Sequence, residues 1–397
     1  MGKPDVGIIA GAAVLGVAVG CAASILVNRR RIAKGKQAWL EKIPASSFSF
    51  ENARVFKLQG LDRSPFGNLG GADVLQCVDT GATVPVWTLV DVPGLVLYSI
   101  EVVGGKIIFL FVQVPSVPKL FDTPFLDRGV RALVEIGSDV FVASMDAVEN
   151  IPGLTPLDEL PAKDQSRYSI VWNTGRCGST LMHKMLQKVG VLSFSEPYWQ
   201  DKILELPSRG LDHDEVGRVF CVSAALDVLL ARKSLPAHPP IFGAAATLGS
   251  AYVSFNPKGK GVLAMEPIIR SLPHAKHMLM YRDVRKVAES FGSIFNRKPV
   301  FLDRVAAFLM IWKPRPKSLG GGLRALPNKR KPTFSKAVAE AKDSGCLKEP
   351  AKPMVKIPTV HWLETMCLWK ELMKNGHLKN ASAASLRMED FVRKTQS

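Results

Sequence analysis

One stretch of sequence, YSIVWNTGRCGSTLMHKMLQKVG at Tyr168–Gly190, decides the predicted fold. Its first five residues, Tyr168–Trp172, are mostly β-branched or aromatic, as in a buried strand. Small polar residues follow, and a helical pattern begins at about residue 180. A strand, a glycine-containing loop and a helix in this order direct backbone N–H groups and the positive end of the helix dipole toward one point. The stretch therefore predicts an anion-binding loop.

The segments after this loop alternate between strand and helix patterns. Strands are predicted at 168–172, 191–194, 276–281 and 384–391, and helices at 180–189, 214–231, 284–295 and 361–374. Such alternation is typical of a parallel sheet flanked by helices. The predicted fold class is therefore α/β, with a P-loop-like parallel sheet over residues 165–397.

The region before residue 150 has a β-rich pattern instead. Three apolar or alternating runs, VPVWTLVDV, LVLYSIEVV and KIIFLFVQV, lie between Val84 and Val114. The last two are joined by Gly104-Gly105, which predicts a hairpin, and LDRGVRALVEIG further on predicts a helix. We expect a small β-rich domain over residues 61–150 that packs or binds a partner. A basic collar and partly helical stalk at 29–60 would precede it.

The N-terminal segment resembles a membrane anchor. Residues 6–27 form a run of 22 residues without a charge, which is long enough to cross a hydrocarbon core of roughly 30 Å. The apolar core of a cleaved signal peptide is usually shorter, about 7–15 residues. The sequence therefore predicts a single-pass transmembrane helix and the membrane as a partner.

The net charge of +17 is concentrated in two places. Five basic residues between Arg29 and Lys36 give +5, and residues 313–356 hold 12 basic and 3 acidic residues. The rest of the chain is close to neutral, whereas a nucleic-acid-binding domain carries its basic face on the fold itself. We therefore predict no nucleic-acid partner. Seven prolines and a Gly-Gly-Gly run make 313–358 a predicted disordered insertion.

Six cysteines are scattered without a C-x-x-C pair. That distribution predicts neither a disulfide framework nor a zinc site. No metal is therefore expected in the site.

The anion loop combines backbone freedom with charge. Gly175 and Gly178 allow backbone N–H groups to converge, Arg176 supplies a full positive charge, and Ser179 and Thr180 add hydroxyl donors. The nucleotide-triphosphate pattern G-x-x-x-x-G-K-[ST] is not met, because no lysine precedes Ser179. A second element, HMLMYRDVRKVAES, ends a predicted strand at Arg282 and places Ser290 eight residues later. Together these could bind a second phosphate.

These elements together resemble the sulfotransferase family, in particular its membrane-anchored, carbohydrate-modifying branch. RCGSTLM at 176–182 is similar to the family's phosphosulfate loop, and the Arg282–Ser290 spacing is similar to its 3′-phosphate motif. SEPYW at 195–199 and LRMEDF at 386–391 resemble two further family segments. The resemblance covers residues 165–300 and 360–393. Val284 departs from it, since the family usually has proline there.

The resemblance implies 3′-phosphoadenosine 5′-phosphosulfate as the donor and no metal. The sulfuryl group would be transferred in line to a hydroxyl or amine, with glycans among the candidate acceptors. Arg176 would stabilise the leaving 5′-phosphate, and Glu196 would accept the acceptor's proton, with His183 and His238 as weaker alternatives. The donor-binding residues would be Gly175, Arg176, Cys177, Gly178, Ser179, Thr180, Arg282 and Ser290.

Other interpretations stay open. The same loop suits a P-loop kinase or nucleotide hydrolase, although the lysine is missing. A catalytically inactive, membrane-anchored binding protein is also consistent, because little sequence follows RMEDF to cover the adenine. The family resemblance favours a Golgi or endoplasmic reticulum membrane with a lumenal catalytic domain. The basic residues after the anchor favour the cytosolic side instead.

Overall fold

Two five-stranded sheets form the framework of the chain in the computed structural model. It describes residues 39–62, 71–235, 252–257, 264–284, 286–287, 290, 353–378 and 382–390. The strands are β1 (Asn52–Leu61), β2 (Leu75–Pro85), β3 (Leu95–Val103), β4 (Lys106–Gln113), β5 (Asp139–Ser144), β6 (Tyr168–Asn173), β7 (Leu192–Ser195), β8 (Val253–Asn256), β9 (Lys276–Tyr281) and β10 (Ser382–Arg387).

Helices connect and cover these sheets. They are α1 (Val117–Phe121), α2 (Leu126–Leu133), α3 (Met145–Glu149), α4 (Ala162–Gln165), α5 (Ser179–Lys188), α6 (Tyr198–Ile203), α7 (His213–Ser234), α8 (Met265–Ser271) and α9 (Pro353–Lys374). Short 3-10 helices lie at Ala45–Ser47, Gly71–Val74, Val86–Asp91, Leu157–Glu159 and Leu206–Arg209. Residues 284, 286, 287 and 290 are also helical.

The first sheet is antiparallel, with strand order β2-β1-β5-β4-β3. The predicted hairpin is confirmed, because β3 and β4 pair through the turn at Gly104-Gly105. Two assignments are corrected. Residues 52–60, expected in a stalk, belong to β1 beside the central strand. Val86–Asp91, expected in a strand, forms a 3-10 helix. Pro85 precedes that helix with φ −56° and ψ 133°, which ends strand pairing there.

The second sheet is parallel, with strand order β10-β9-β6-β8-β7. Each neighbouring pair runs in the same direction, as the alternating pattern predicted. The central strand β6 is buried at five of its six positions, because both of its faces are covered. Its carboxyl end leads directly into the 173–180 loop. The loop therefore lies where ligands bind in open α/β sheets.

The two sheets share one hydrophobic core. Strand β3 is buried on both faces, because helices α6 and α7 pack against it from the parallel-sheet side. Phe121 meets Phe194 edge-on with ring centres 5.3 Å apart, and Tyr98 stacks on Tyr198 at 5.6 Å. The antiparallel sheet therefore directly supports the segment that follows β7.

The predicted fold class is wrong and is corrected to a mixed α/β fold with one antiparallel and one parallel sheet. The β-rich part is a complete five-stranded sheet packed on the parallel one, because continuous burial of β3 and β4 requires cover on both faces. The predicted transmembrane helix at 6–27 lies outside the described residues. Within the described ranges, no helix is long and apolar enough to cross a membrane. The longest, α7 and α9, carry charged residues along their length.

Most of the predicted disordered insertion, 313–352, also lies outside the described residues. Its last six residues, 353–358, are helical and belong to α9. They continue the apolar pattern of the predicted helix at 361–374 by more than one turn. Only this end of the insertion is corrected by the structure.

Candidate functional site

The 173–180 loop adopts an unusual backbone at the carboxyl end of β6. Gly175, Arg176 and Gly178 have φ of 76°, 53° and 84°. Positive φ is uncommon for a residue with a side chain such as arginine, and backbone strain of this kind often marks a functional site. Asn173 Oδ1 accepts a hydrogen bond of 3.0 Å from Gly175 N, which fixes the entry to the loop.

Helix α5 begins directly after the loop. Gly178 is its N-terminal flanking residue and Ser179 its first residue. The first N–H groups of an α-helix have no acceptor within the helix, and the helix dipole is positive at this end. The predicted strand, loop and helix arrangement is therefore confirmed, and it presents the features expected of an anion site.

Two buried asparagines connect the ends of strands β6 and β8 with the start of helix α5. Asn173 Nδ2 donates to Asn256 Oδ1 at 3.3 Å and to Pro257 O at 2.6 Å. Asn256 Nδ2 in turn donates to Ser179 O at 3.3 Å. This network fixes the loop relative to β8, and sequence reasoning missed it because four-residue β8 was not predicted. The only sequence signal for this network was an asparagine at the end of each of the two strands, β6 and β8.

Arg176 and Ser290 are brought together although they are 114 positions apart. Arg176 Nε donates a hydrogen bond of 3.0 Å to Ser290 Oγ. The two elements that the sequence suggested for two phosphates therefore meet at one place. Thr180 is the second residue of α5, at the helix end that follows the loop.

Cys177 lies beneath the loop with its side chain fully buried. It packs against Val171 and Met280, with Met388 at the edge of the same small cluster. Burial raises the pKa of the Cys177 thiol. Its contribution to a ligand is therefore limited to its backbone, and the thiol anchors the loop to the sheet.

Gly178 is required by both its backbone and its surroundings. With φ of +84°, a Cβ at this position would lie 2.6 Å from Met388 Cε and 2.7 Å from Met388 Sδ. Gly190 has the same φ, but a Cβ there would meet nothing within 4 Å. Comparing substitutions at Gly178 and Gly190 therefore separates the effect of backbone strain from that of crowding.

We expect Gly178→Ala to destabilise the protein more than Gly190→Ala. Both changes incur left-handed backbone strain of about 1–2 kcal/mol. Only Gly178→Ala adds crowding, which lies at the low end of about 1–3 kcal/mol because the atoms it meets are the flexible end of Met388. Urea unfolding of both variants measures the difference. Adding Met388→Ala to each variant should reduce the additional loss of stability that Gly178→Ala shows over Gly190→Ala. Equal losses in the two single variants would contradict the contact.

Glu196 directly follows β7 and also has a positive φ, 52°. Its backbone N–H donates to Asn256 O at 2.9 Å, so it is linked through Asn256 to Ser179. The structure therefore places Glu196 at the carboxyl edge of the sheet, next to the strand whose asparagine contacts the loop. A strained non-glycine residue at this edge supports its selection as a candidate base.

Arg282 follows β9 at the same edge. Its backbone carbonyl accepts a hydrogen bond of 2.8 Å from Trp362 Nε1 on α9. Its guanidinium Nε lies 3.7 Å from Glu389 Oε1. Neither Trp362 nor Glu389 was identified from the sequence, because both contacts depend on how α9 and β10 return to β9.

The alternative histidine bases are not supported equally. His183 is buried on α5 and its Nδ1 lies 2.8 Å from Ser193 Oγ. Burial, reinforced by neighbouring Lys184, lowers the pKa of His183 to about 4. It is thus a core residue of the helix, facing β7. His238 lies outside the described residues.

A crevice of about 420 Å³, including space open to solvent, lies between the two sheets. Its walls are apolar except for two tyrosines and two aspartates, and Phe194 and Pro197 line it on either side of Ser195 and Glu196. Asp227 on its wall is buried and accepts a hydrogen bond of 2.7 Å from Trp199 Nε1. Burial raises the pKa of Asp227 to about 8.

Comparisons with protein-family models, curated proteins and solved structures found no match. The functional interpretation therefore depends on the geometry of the site. In the part of the chain that the structure describes, no group of three His, Cys, Asp or Glu side chains could hold a metal ion.

Proposed function

We propose that the chain is a sulfotransferase-like enzyme. It would transfer the sulfuryl group of 3′-phosphoadenosine 5′-phosphosulfate to an acceptor hydroxyl or amine. The observation that carries the proposal is the hydrogen bond of 3.0 Å from Arg176 Nε to Ser290 Oγ. It joins the loop suited to one phosphate to the element suited to another.

The donor itself explains why this contact matters. Its 5′-phosphosulfate and 3′-phosphate are attached to one ribose, so the two phosphate-binding elements of a protein need to be adjacent. A nucleotide with a single 5′ chain makes no such demand. The adjacency of Arg176 and Ser290 therefore favours a nucleotide phosphorylated at both ends of the ribose.

Each residue has a role that follows from its position. The backbone of Gly175, Cys177 and Gly178 and the start of α5 at Ser179 and Thr180 would surround the 5′-phosphate. Arg176 would stabilise the charge that grows on this phosphate as the bond to sulfur breaks. Arg282 and Ser290 would hold the 3′-phosphate, so that the sulfur is fixed in line with the acceptor.

Glu196 is our candidate for the general base. It follows β7 at the same edge, and its backbone is joined to Ser179 through Asn256. As a carboxylate it would accept the proton that the acceptor hydroxyl or amine loses when its oxygen or nitrogen attacks sulfur.

We expect the full chain to bind 3′-phosphoadenosine 5′-phosphate more tightly than ADP in titration calorimetry. Arg282→Ala should remove this preference. The affinity for the 3′-phosphorylated ligand should fall by tens of fold, because hydrogen bonds to charged groups contribute about 1.5–3 kcal/mol. Binding of ADP should change little. Exposed Arg209, on a 3-10 helix elsewhere, provides the control substitution Arg209→Ala.

Two outcomes would contradict the proposal. Tighter binding of ATP with magnesium than of the 3′-phosphorylated ligand would favour the kinase or hydrolase alternative. Equal affinity for the 3′-phosphorylated ligand and ADP would show that Arg282 and Ser290 do not form a 3′-phosphate site.

A further inference from the structure

The carboxylate of Glu389 lies among three basic side chains at the carboxyl edge of the parallel sheet. Glu389 Oε2 is 3.3 Å from Arg387 Nε, and Oε1 is 3.7 Å from Arg282 Nε. Lys286 Nζ lies 3.9 Å from the same Oε1. The last two distances are longer than a hydrogen bond. Glu389 therefore attracts Arg282 and Lys286 without a short hydrogen bond to either.

The carboxylate is buried more deeply than its partners. The side chain of Glu389 is 13% exposed, whereas those of Arg282, Lys286 and Arg387 are 34%, 51% and 45% exposed. An anion that approaches from solvent would therefore meet the basic groups before the carboxylate. This order favours anion binding despite the negative charge beneath.

Glu389 also contacts the backbone that carries Arg282. Its Oε1 accepts a hydrogen bond of 3.4 Å from Asp283 N. The Asp283 carboxylate itself accepts from Lys286 N at 3.4 Å, at the start of the following helix. The preceding residue, Met388, lies against Gly178 of the 173–180 loop. Residues 388 and 389 thus touch both phosphate elements.

We propose that Glu389 is a positioning residue that sets the preference of this site for a phosphate monoester at Arg282. The inference rests on the proposed function, since it concerns the same 3′-phosphate site. Without Glu389, the positive charges of Arg282, Lys286 and Arg387 would repel one another and separate. With it, they stay together at the carboxyl edge of the parallel sheet.

Two opposite effects of Glu389 can be separated by their sign. If repulsion between its carboxylate and the ligand were the larger effect, Glu389→Gln would bind phosphate more tightly. If positioning is the larger effect, the same change weakens binding. Solvent exposure of the basic groups screens long-range repulsion, whereas their placement depends on ion pairs with Glu389 at 3.3–3.9 Å. We therefore expect weaker binding.

Titration calorimetry of the full chain tests this with Glu389→Gln and Glu389→Asp. Glu389→Gln should lower the affinity for 3′-phosphoadenosine 5′-phosphate by about tenfold, as expected for the loss of one charged contact. The affinity for ADP should fall far less. Glu389→Asp, which keeps the charge, should recover part of the preference. Asp139→Asn removes a partly exposed ion pair with Lys57 on the other sheet and serves as the matched control. If Glu389 had a purely structural role, Glu389→Gln would weaken the binding of both nucleotides equally.

Inorganic phosphate separates failure of this inference from failure of the proposed function. If the unaltered chain shows no preference for the 3′-phosphorylated ligand, the proposed function fails. Even then, Glu389→Gln should weaken the binding of inorganic phosphate, as Arg282→Ala should. Unchanged or tighter binding of the tested phosphate ligand by Glu389→Gln would overturn the inference in either case.

Discussion

Replacing Lys202 with methionine is expected to lower the free energy of unfolding by about 3–5 kcal/mol, because it leaves a buried carboxylate without its partner. Lys202 Nζ lies 3.2 Å from Glu101 Oε2, and the two side chains are 6% and 3% exposed. Glu101 also accepts hydrogen bonds from Ala72 N and Ser99 Oγ. Urea unfolding measures the loss.

The two partners respond differently to burial. Burial raises the pKa of Glu101 more than Lys202 lowers it. For Lys202, burial lowers the pKa, but the charges of Glu101 and Glu205 outweigh that effect and raise it. Lys202 is therefore charged at neutral pH, and its charge opposes the effect of burial on the pKa of Glu101.

Lys233→Met is the matched control. Lys233 Nζ pairs with Asp91 Oδ1 at 3.1 Å, but both side chains are more than half exposed. Its loss should change stability by less than about 1 kcal/mol. The double variant Glu101→Gln, Lys202→Met should recover much of the stability that Lys202→Met loses. Equal effects of the two lysine changes would contradict a buried ion pair.

The Asp227→Asn variant should become more stable relative to the unaltered chain as pH rises. Asp227 has a folded-state pKa of about 8, against an ordinary value of 3.8. Between these values the unfolded chain releases a proton that the folded chain retains, so the unaltered protein loses stability as pH increases. The asparagine variant has no such loss.

Urea unfolding at pH 4 and at pH 8.5 measures this effect. The gain of Asp227→Asn over the unaltered chain should grow by about 5 kcal/mol between the two conditions, since one pKa unit corresponds to about 1.4 kcal/mol. Asp139→Asn provides a control at a carboxylate that is 33% exposed. A difference that is the same at both pH values would show that Asp227 ionises normally.

Periodicity predicted the elements whose burial follows a simple pattern. The β3–β4 hairpin was found because its runs are apolar on both faces and a Gly-Gly turn joins them. Four of the five strands of the parallel sheet, and helices α5, α7 and α9, were found because strand and helix patterns alternate. These signals are local, and they depend on residues close in sequence.

Elements that depend on tertiary contacts were missed. Residues 52–61 alternate only in part between buried and exposed positions, and the basic residues before them suggested a stalk. Val86–Asp91 has strand-forming residues but packs as a 3-10 helix, because β propensity depends strongly on context. Strand β8 has four residues, too few for a periodic signal.

The candidate site divides in the same way. The 173–180 loop could be recognised because its glycines, arginine and hydroxyl residues are consecutive. The contact of Arg176 with Ser290 was not predicted, since nothing in the local sequence joins them and the resemblance only assigned the two residues to different phosphates of one donor. Asn256 and Glu389 could not be selected, because their roles arise from strands that return to the sheet from distant parts of the chain.

The position of β10 also affects how the protein emerges during synthesis. This edge strand pairs with β9, yet residues 282–381 separate the two in the chain. Until the ribosome has produced residues 382–390, β9 has an unpaired backbone edge, which is a site for association with other chains. Met388 and Glu389 arrive with the same segment. A nascent chain would therefore cover the edge of β9 and complete its anion site in a single step, after residues 282–381 have been made.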